Sequence, residues 1–138
     1  MFLRELITNV NKNDMITQIV TLPRQFYTLR NVSMFSLLQA TGYFQLYDQI
    51  SEEEIRAALV RCPECVEEWT QYSEDKRTSG WYIIQDDEGR YEVGSVAENG
   101  ERSNQIWLDS RLDACASFVR HELESIRLAG GRGRVEKA

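Results

Sequence analysis

No apolar run in this chain exceeds a few residues; the longest are Ala57 to Val60 and Trp81 to Ile84. Crossing about 30 Å of hydrocarbon takes about 20 apolar residues, so no transmembrane segment is expected. The start, Met1 to Asp14, lacks a basic beginning, a continuous apolar block and a small-residue cleavage site, which leaves a cytoplasmic location as the expectation, with export by a route the sequence does not show as the alternative. Three cysteines, an odd number, do not close a disulfide framework, which points to a reducing compartment. One histidine leaves a single natural candidate for a general base near neutral pH. Gly-rich phosphate loops, H-E-x-x-H and the G-x-S-x-G elbow are absent, and the Gly130 to Gly133 cluster follows a helical pattern instead of opening one.

What is present fits one α+β domain over residues 1–129 of the 138. The glycine-rich, charged end at 130–138 has too little apolar surface to offset its ordering entropy and reads as a disordered tail. A short helix is expected in Met1 to Val10. Met15 to Leu22 fits both a strand and a helix stripe; its β-branched content favours an extended segment stopped by Pro23, followed by a basic, aromatic link from Arg24 to Arg30. Ser33 is placed to cap a helix over Met34 to Phe44. Ser51 and Glu54 form an S-x-x-E capping box, the clearest helix start in the chain. Pro63 interrupts that helix and occupies the tolerated first position of the next. In the second, Cys62, Cys65, Val66, Trp69 and Tyr72 make one stripe.

Trp81 to Gln85 and Arg90 to Val96 read as a hairpin about Asp86-Asp87-Glu88-Gly89, with Asn104 to Asp109 as a third strand. Ser110 caps a last helix whose inner face is Leu112, Cys115, Ala116, Val119, Leu123 and Ile126, and Gly130-Gly131 ends it. The predicted fold is therefore a three-stranded antiparallel β-meander packed against about four to five α-helices. The stretch from Trp69 to Val96, a covering helix and the hairpin beneath it, is its expected centre.

Cys62-Pro63-Glu64-Cys65 has the C-x-x-C form of a redox pair or half a zinc site. Glu64, Glu67 and Glu68 surround it with negative charge, and the other soft ligands, Cys115 and His121, are separated by about 240° and about 9 Å along one helix. Two cysteines used as small core residues is the expectation, with no metal and no cofactor. His121 reads as an ordinary boundary residue. Glu122 falls within the apolar arc of its helix, where a carboxylate needs a partner or must give up its charge; a structural ion pair or a side chain reaching out at the edge of the core is expected, and a hydrolase or transferase using His121 and Glu122 is the alternative. The polar run Ser73 to Gly80 is expected to be surface. Tyr82 and Trp107 lie on strands with two semi-apolar faces, one of which is free to be a contact surface.

Charge is unevenly placed. Of a net −6, residues 51–75 contribute −6 and residues 86–101 contribute −5, so the rest of the chain is +5. If the two acidic stretches meet they form one negative surface, which repels nucleic acid and speeds association with a basic protein. The docking residues would be Glu52, Glu53, Glu64, Glu67, Glu68, Asp86, Asp87 and Glu88, with Tyr82 and Trp107 as anchors.

The run W-T-Q-Y-S-E-D-K-R-T-S-G-W-Y, Trp69 to Tyr82, within a compact acidic chain, resembles the immunity proteins that bacteria pair with secreted or contact-delivered toxins. The resemblance covers the middle of the chain. It implies a non-enzymatic, tight inhibitor of a cognate toxin, often a basic nuclease, acting by covering the active site or holding it inactive. Such proteins share no common binding motif, so it assigns no residue role. The expected partner is a basic protein domain, with no nucleic acid and no membrane; a structural subunit of a larger assembly is a further alternative.

Overall fold

The computed structural model describes residues 12–29, 31–76 and 79–137, with side chains up to residue 130; the helix expected in Met1 to Val10 lies outside this range. Residues 12–20 form a helix, α1, where an extended segment was expected. Met15, Ile16, Ile19 and Val20 are all buried on one stripe of it. A β-branched residue costs a few tenths of a kcal/mol in a helix, whereas each such burial contributes about 1.5 to 3 kcal/mol, so the helix wins. The expected link after Pro23 is likewise helical. Pro23 sits in the first turn of α2 (Leu22–Thr28), where its missing amide hydrogen breaks no bond.

Ser33 caps α3 (Met34–Thr41), accepting the Ser36 amide at 3.0 Å, and Gly42 ends it with φ +89°. A short α4 (Tyr43–Leu46) and a 3-10 turn (Tyr47–Gln49) follow. The capping box of α5 (Glu52–Arg61) is formed in both directions, Glu54 amide to Ser51 Oγ at 3.1 Å and Ser51 amide to Glu54 Oε1 at 3.0 Å. Helix α6 (Pro63–Lys76) starts at the proline and buries Cys65, Val66, Trp69 and Tyr72.

Strands β1 (Gly80–Gln85), β2 (Tyr91–Val96) and β3 (Arg102–Leu108) form the antiparallel meander in that order, followed by α7 (Arg111–Lys137), which the Ser110 hydroxyl caps through the Asp113 amide at 3.2 Å. The fold is α+β. The described residues form seven α-helices, against an expectation of four to five, because α1, α2 and α4 replace segments read as extended, linking or continuous. None of the described helices is long and apolar enough to cross a membrane.

The centre is α7, with α6 beside it. Helix α7 packs on all three strands and on α3, α5 and α6, while α6 packs on β1. Between Ala114 and Val119 every side chain of α7 is buried, so the one-sided face read from the sequence becomes buried all round. The helix also passes through Gly130-Gly131, which were expected to end it. A methyl group on Gly130 would stand 1.8 Å from the Phe35 ring, so this glycine serves a close helix approach, and a helix accommodates one at a cost of about 1 kcal/mol.

The two sheet edges differ. The Ile83 amide on the outer side of β1 donates to Ser73 Oγ at 3.0 Å, and the Trp81 carbonyl accepts from Lys76 Nζ at 3.0 Å, so α6 closes that edge. Among the described residues no hydrogen bond reaches the outer edge of β3.

Candidate functional site

Strand register gathers the first group of features. Gln85 and Leu108 flank Tyr91 on either side across the sheet, so the turn at Asp86 to Gly89 stands at the same end as Trp107 to Asp109. The first turn of α5 reaches this end too, since Glu52, Glu53 and Arg56 line one depression with Ile106 and Leu108. Ile106 and Trp107 are 42% and 47% exposed. The register places them on opposite faces of an edge strand, Ile106 opposite the buried Val93 and Trp107 opposite Glu92.

The acidic surface is smaller than the charge count suggests. Glu68 accepts a two-pronged bond from Arg24, at 3.0 and 2.9 Å, and Glu67 is bound by Arg111. Asp86 and Glu88 both pair with Arg90, each at 3.2 Å. The Arg111 guanidinium holds the Glu67 carboxyl below its usual range. Burial pushes Asp86 upward, but the Arg90 and Glu88 amides and the Arg90 charge bring it below its usual range. Glu52, Glu53 and Asp87 have no partner among the described residues. Glu64 lies with Oε2 3.4 Å from Cys62 Sγ. Glu98 and Glu101 belong to the β2–β3 turn at the opposite end of the sheet. Arg24 and Arg111 are each 44 residues from the acid they neutralise in α6, a pairing that no spacing rule reads.

Tyr82 and Trp107 share the sheet face turned away from the helices, and Glu92 joins them. Its carboxylate accepts from the Tyr82 hydroxyl and from Gln105 Nε2 at 2.9 Å, with Arg102 Nη1 at 3.4 Å. The Arg102 guanidinium also covers the Tyr82 ring, 5.1 Å from its centroid. Room for this comes from Gly94, where a methyl group would fall 2.7 Å from the Tyr82 hydroxyl. Burial raises the Glu92 carboxyl, but the donors outweigh it and the net shift is below the ordinary 4.5. Burial and the bond to Glu92 push the Tyr82 hydroxyl up to about 12.

A carboxylate lowered by folding adds stability that is present above its unfolded pKa and lost as pH falls through the folded one. The deficit of Glu92→Gln, about 1 kcal/mol at neutral pH, should therefore shrink below about pH 4, as urea denaturation across pH would show; a deficit constant with pH would contradict the network.

A second feature is a cavity of about 570 Å³ walled by Phe26, Tyr27, Met34, Tyr72 and Ile126, with Lys76 and Glu122 at its polar side. Glu122 is 3% exposed and has the partner its position in the apolar arc demands: Lys76 Nζ at 2.7 Å on one oxygen, the Tyr72 hydroxyl at 2.8 Å on the other. Burial, followed by the Glu122 charge, moves the Tyr72 hydroxyl well above its usual range. With both oxygens engaged, Glu122 acts as the hub of an ion pair.

His121 is turned elsewhere. Its ring stacks on Trp81 with centroids 4.0 Å apart, Nδ1 lies 2.8 Å from the Ser117 carbonyl, and it lines the depression beside Glu52 and Ile106. The two residues of the enzyme alternative thus face different depressions.

The cysteines depart from expectation. Cys65 is in the core, but Cys62 is only partly buried, precedes α6, and is joined to Cys65 by a disulfide. The proline start of α6 brings the two Cα atoms to 5.5 Å, within bonding range. Cys115 is free and buried. No cluster of metal-binding side chains occurs among the described residues.

No protein-family model matches the chain, and no curated protein and no solved structure is significantly similar to it.

Proposed function

We propose that this protein is a non-catalytic inhibitor of the immunity type, which docks a basic protein domain along the outer edge of β3. The observation that carries this reading is the exposed Ile106 and Trp107 on a strand whose outer edge has no partner among the described residues, with Glu52, Glu53 and Asp87, likewise unpaired among them, near by. An open strand edge offers backbone amides and carbonyls in fixed register to an extended segment of another chain. A half-exposed tryptophan beside it supplies an anchor, and the surrounding carboxylates steer and orient a cationic partner.

The paired acids play a different part. Glu67, Glu68, Asp86 and Glu88 hold elements of the fold together through Arg111, Arg24 and Arg90 and have less charge to offer a partner. Tyr82, with its hydroxyl committed to Glu92, supports Trp107 from the same face instead of reaching outward. An inhibitor of this kind acts by occupying the partner's substrate face, and nothing in it needs to turn over.

The test starts from the partner captured on wild-type protein at low salt. Trp107→Ala should weaken binding by at least about tenfold, in line with the cost of about 2 kcal/mol typical of interfacial tryptophans. The double change Glu52→Lys, Glu53→Lys should slow association and flatten its dependence on salt. A partner that binds Trp107→Ala with unchanged affinity, or whose association rate ignores salt, would overturn the proposal.

A further inference from the structure

The Cys62–Cys65 pair carries no load in the docking surface and sits at the joint of α5 and α6. Its two sulfurs differ in access: Cys65 is fully buried, whereas Cys62 is partly exposed. Arg24 Nη2 lies 3.9 Å from Cys62 Sγ, so the acidic surroundings read from the sequence are offset by a guanidinium from α2. Cys62 also occupies the position just before the first residue of α6, where the helix dipole favours negative charge. Glu64, with an oxygen 3.4 Å away, and Glu68, bound to the same arginine, oppose it. The backbone holds the pair together without the sulfurs: Pro63 fixes the chain between them, and the Cys65 amide donates to the Cys62 carbonyl at 2.9 Å. A reduced pair would stay poised to close again.

We propose that Cys62 and Cys65 form a reversible thiol–disulfide exchange site, opened by a dithiol reductant that attacks Cys62 and expels Cys65. One thiolate of the reductant bonds to Cys62 Sγ; the Cys62–Cys65 bond breaks, and its electron pair leaves on Cys65, which takes up a proton. The second thiolate of the reductant then attacks the reductant's own sulfur in this mixed disulfide and releases Cys62. Two electrons pass to the protein, the dithiol becomes a disulfide, and the protons it loses go to the two cysteines or to water. Cys115 takes no part: it is buried, and burial pushes its thiol up to about 12.

The experiment equilibrates the full chain with graded ratios of reduced to oxidised dithiothreitol, quenches with acid, alkylates and counts thiols by mass. In the acid-unfolded, alkylated chain the expected result is one two-electron transition from one thiol, Cys115, to three, the two gained mapping to Cys62 and Cys65, with unchanged far-ultraviolet circular dichroism before the quench. Cys62 and Cys65 thiols that stay free at the oxidising end, or a bond that opens only when the protein unfolds, would overturn the proposal. A second measurement assigns the attacked sulfur. Cys65→Ala treated with oxidised glutathione should carry the adduct on Cys62, while Cys62→Ser should leave Cys65 at least about tenfold less modified; equal modification would refute the assignment. Failure of either test leaves the β3 docking surface untouched.

Discussion

Trp69→Ala should cost about 5 kcal/mol and bring the protein to the edge of unfolding. The indole is fully buried, edge-on to Tyr72 at 5.6 Å and to Phe118 at 6.2 Å, so its removal opens a cavity shared by α6 and α7. Loss of a buried tryptophan ring costs about 3 to 5 kcal/mol. The ring nitrogen adds to this by donating to the Val20 carbonyl at 2.9 Å. Val20 is at the end of α1, where a helix leaves its carbonyls without internal partners, and an orphaned buried acceptor costs a further 1 to 3 kcal/mol or so. Domains of this size have about 5 to 15 kcal/mol in total. Trp69→Phe separates the terms, since it keeps most of the ring contact and loses the bond; a deficit of about 1 to 3 kcal/mol is expected for it. Urea denaturation measures both, and an alanine variant within about 2 kcal/mol of wild type would mean that Trp69 is not a keystone of the core.

Lys76→Met should be nearly as damaging, at about 3 to 5 kcal/mol, because it leaves the Glu122 carboxylate buried with only the Tyr72 hydroxyl to satisfy it. The lysine and glutamate side chains are 13% and 4% exposed, too little for water to replace the lost charge. It also removes the donor to the Trp81 carbonyl on the outer edge of β1. Adding Glu122→Leu to that variant should recover much of the loss, since an apolar pair of similar volume is often no worse than a buried ion pair. The double-mutant cycle is the measurement: a coupling energy above about 1.5 kcal/mol is expected. Additive single-site losses would show that the two side chains do not depend on each other.

These effects bear on which parts of the molecule the chain announces in advance. Glu122 could be marked as a carboxylate in need of a partner by counting about 100° per residue along its helix, yet nothing in that count names Lys76, 46 positions away. The capping box at Ser51, the proline start of α6 and the three strands were legible because each is decided by residues within a few positions of one another. The extended reading of Met15 to Leu22 failed for the opposite reason: its local preference was weak, and burial against residues far along the chain decided it.

The same division separates the two readings of the acidic segments. Counting charge placed an excess at 51–75 and 86–101, but Arg24, Arg90 and Arg111 take up four of the eight acids considered for docking. Strand register then carries Glu98 and Glu101 to the far end of the sheet. What remains to meet a partner is smaller and lies beside Ile106, a residue that composition gave no reason to single out. Its signal was the strand pattern itself: an inward position on an edge strand is only half covered.

Taken alone, the order of residues determined the α+β class, the meander, the principal helix starts and the need of Glu122 for a partner, because short-range hydrogen bonding and hydrophobic periodicity act over a few positions. Only the folded chain decided which arginine neutralises which acid, which sheet edge stays open, that Trp69 completes the end of α1, and that Cys62 meets Cys65 under a guanidinium. Those outcomes depend on distances between segments remote in sequence, and such distances exist only once the core has closed.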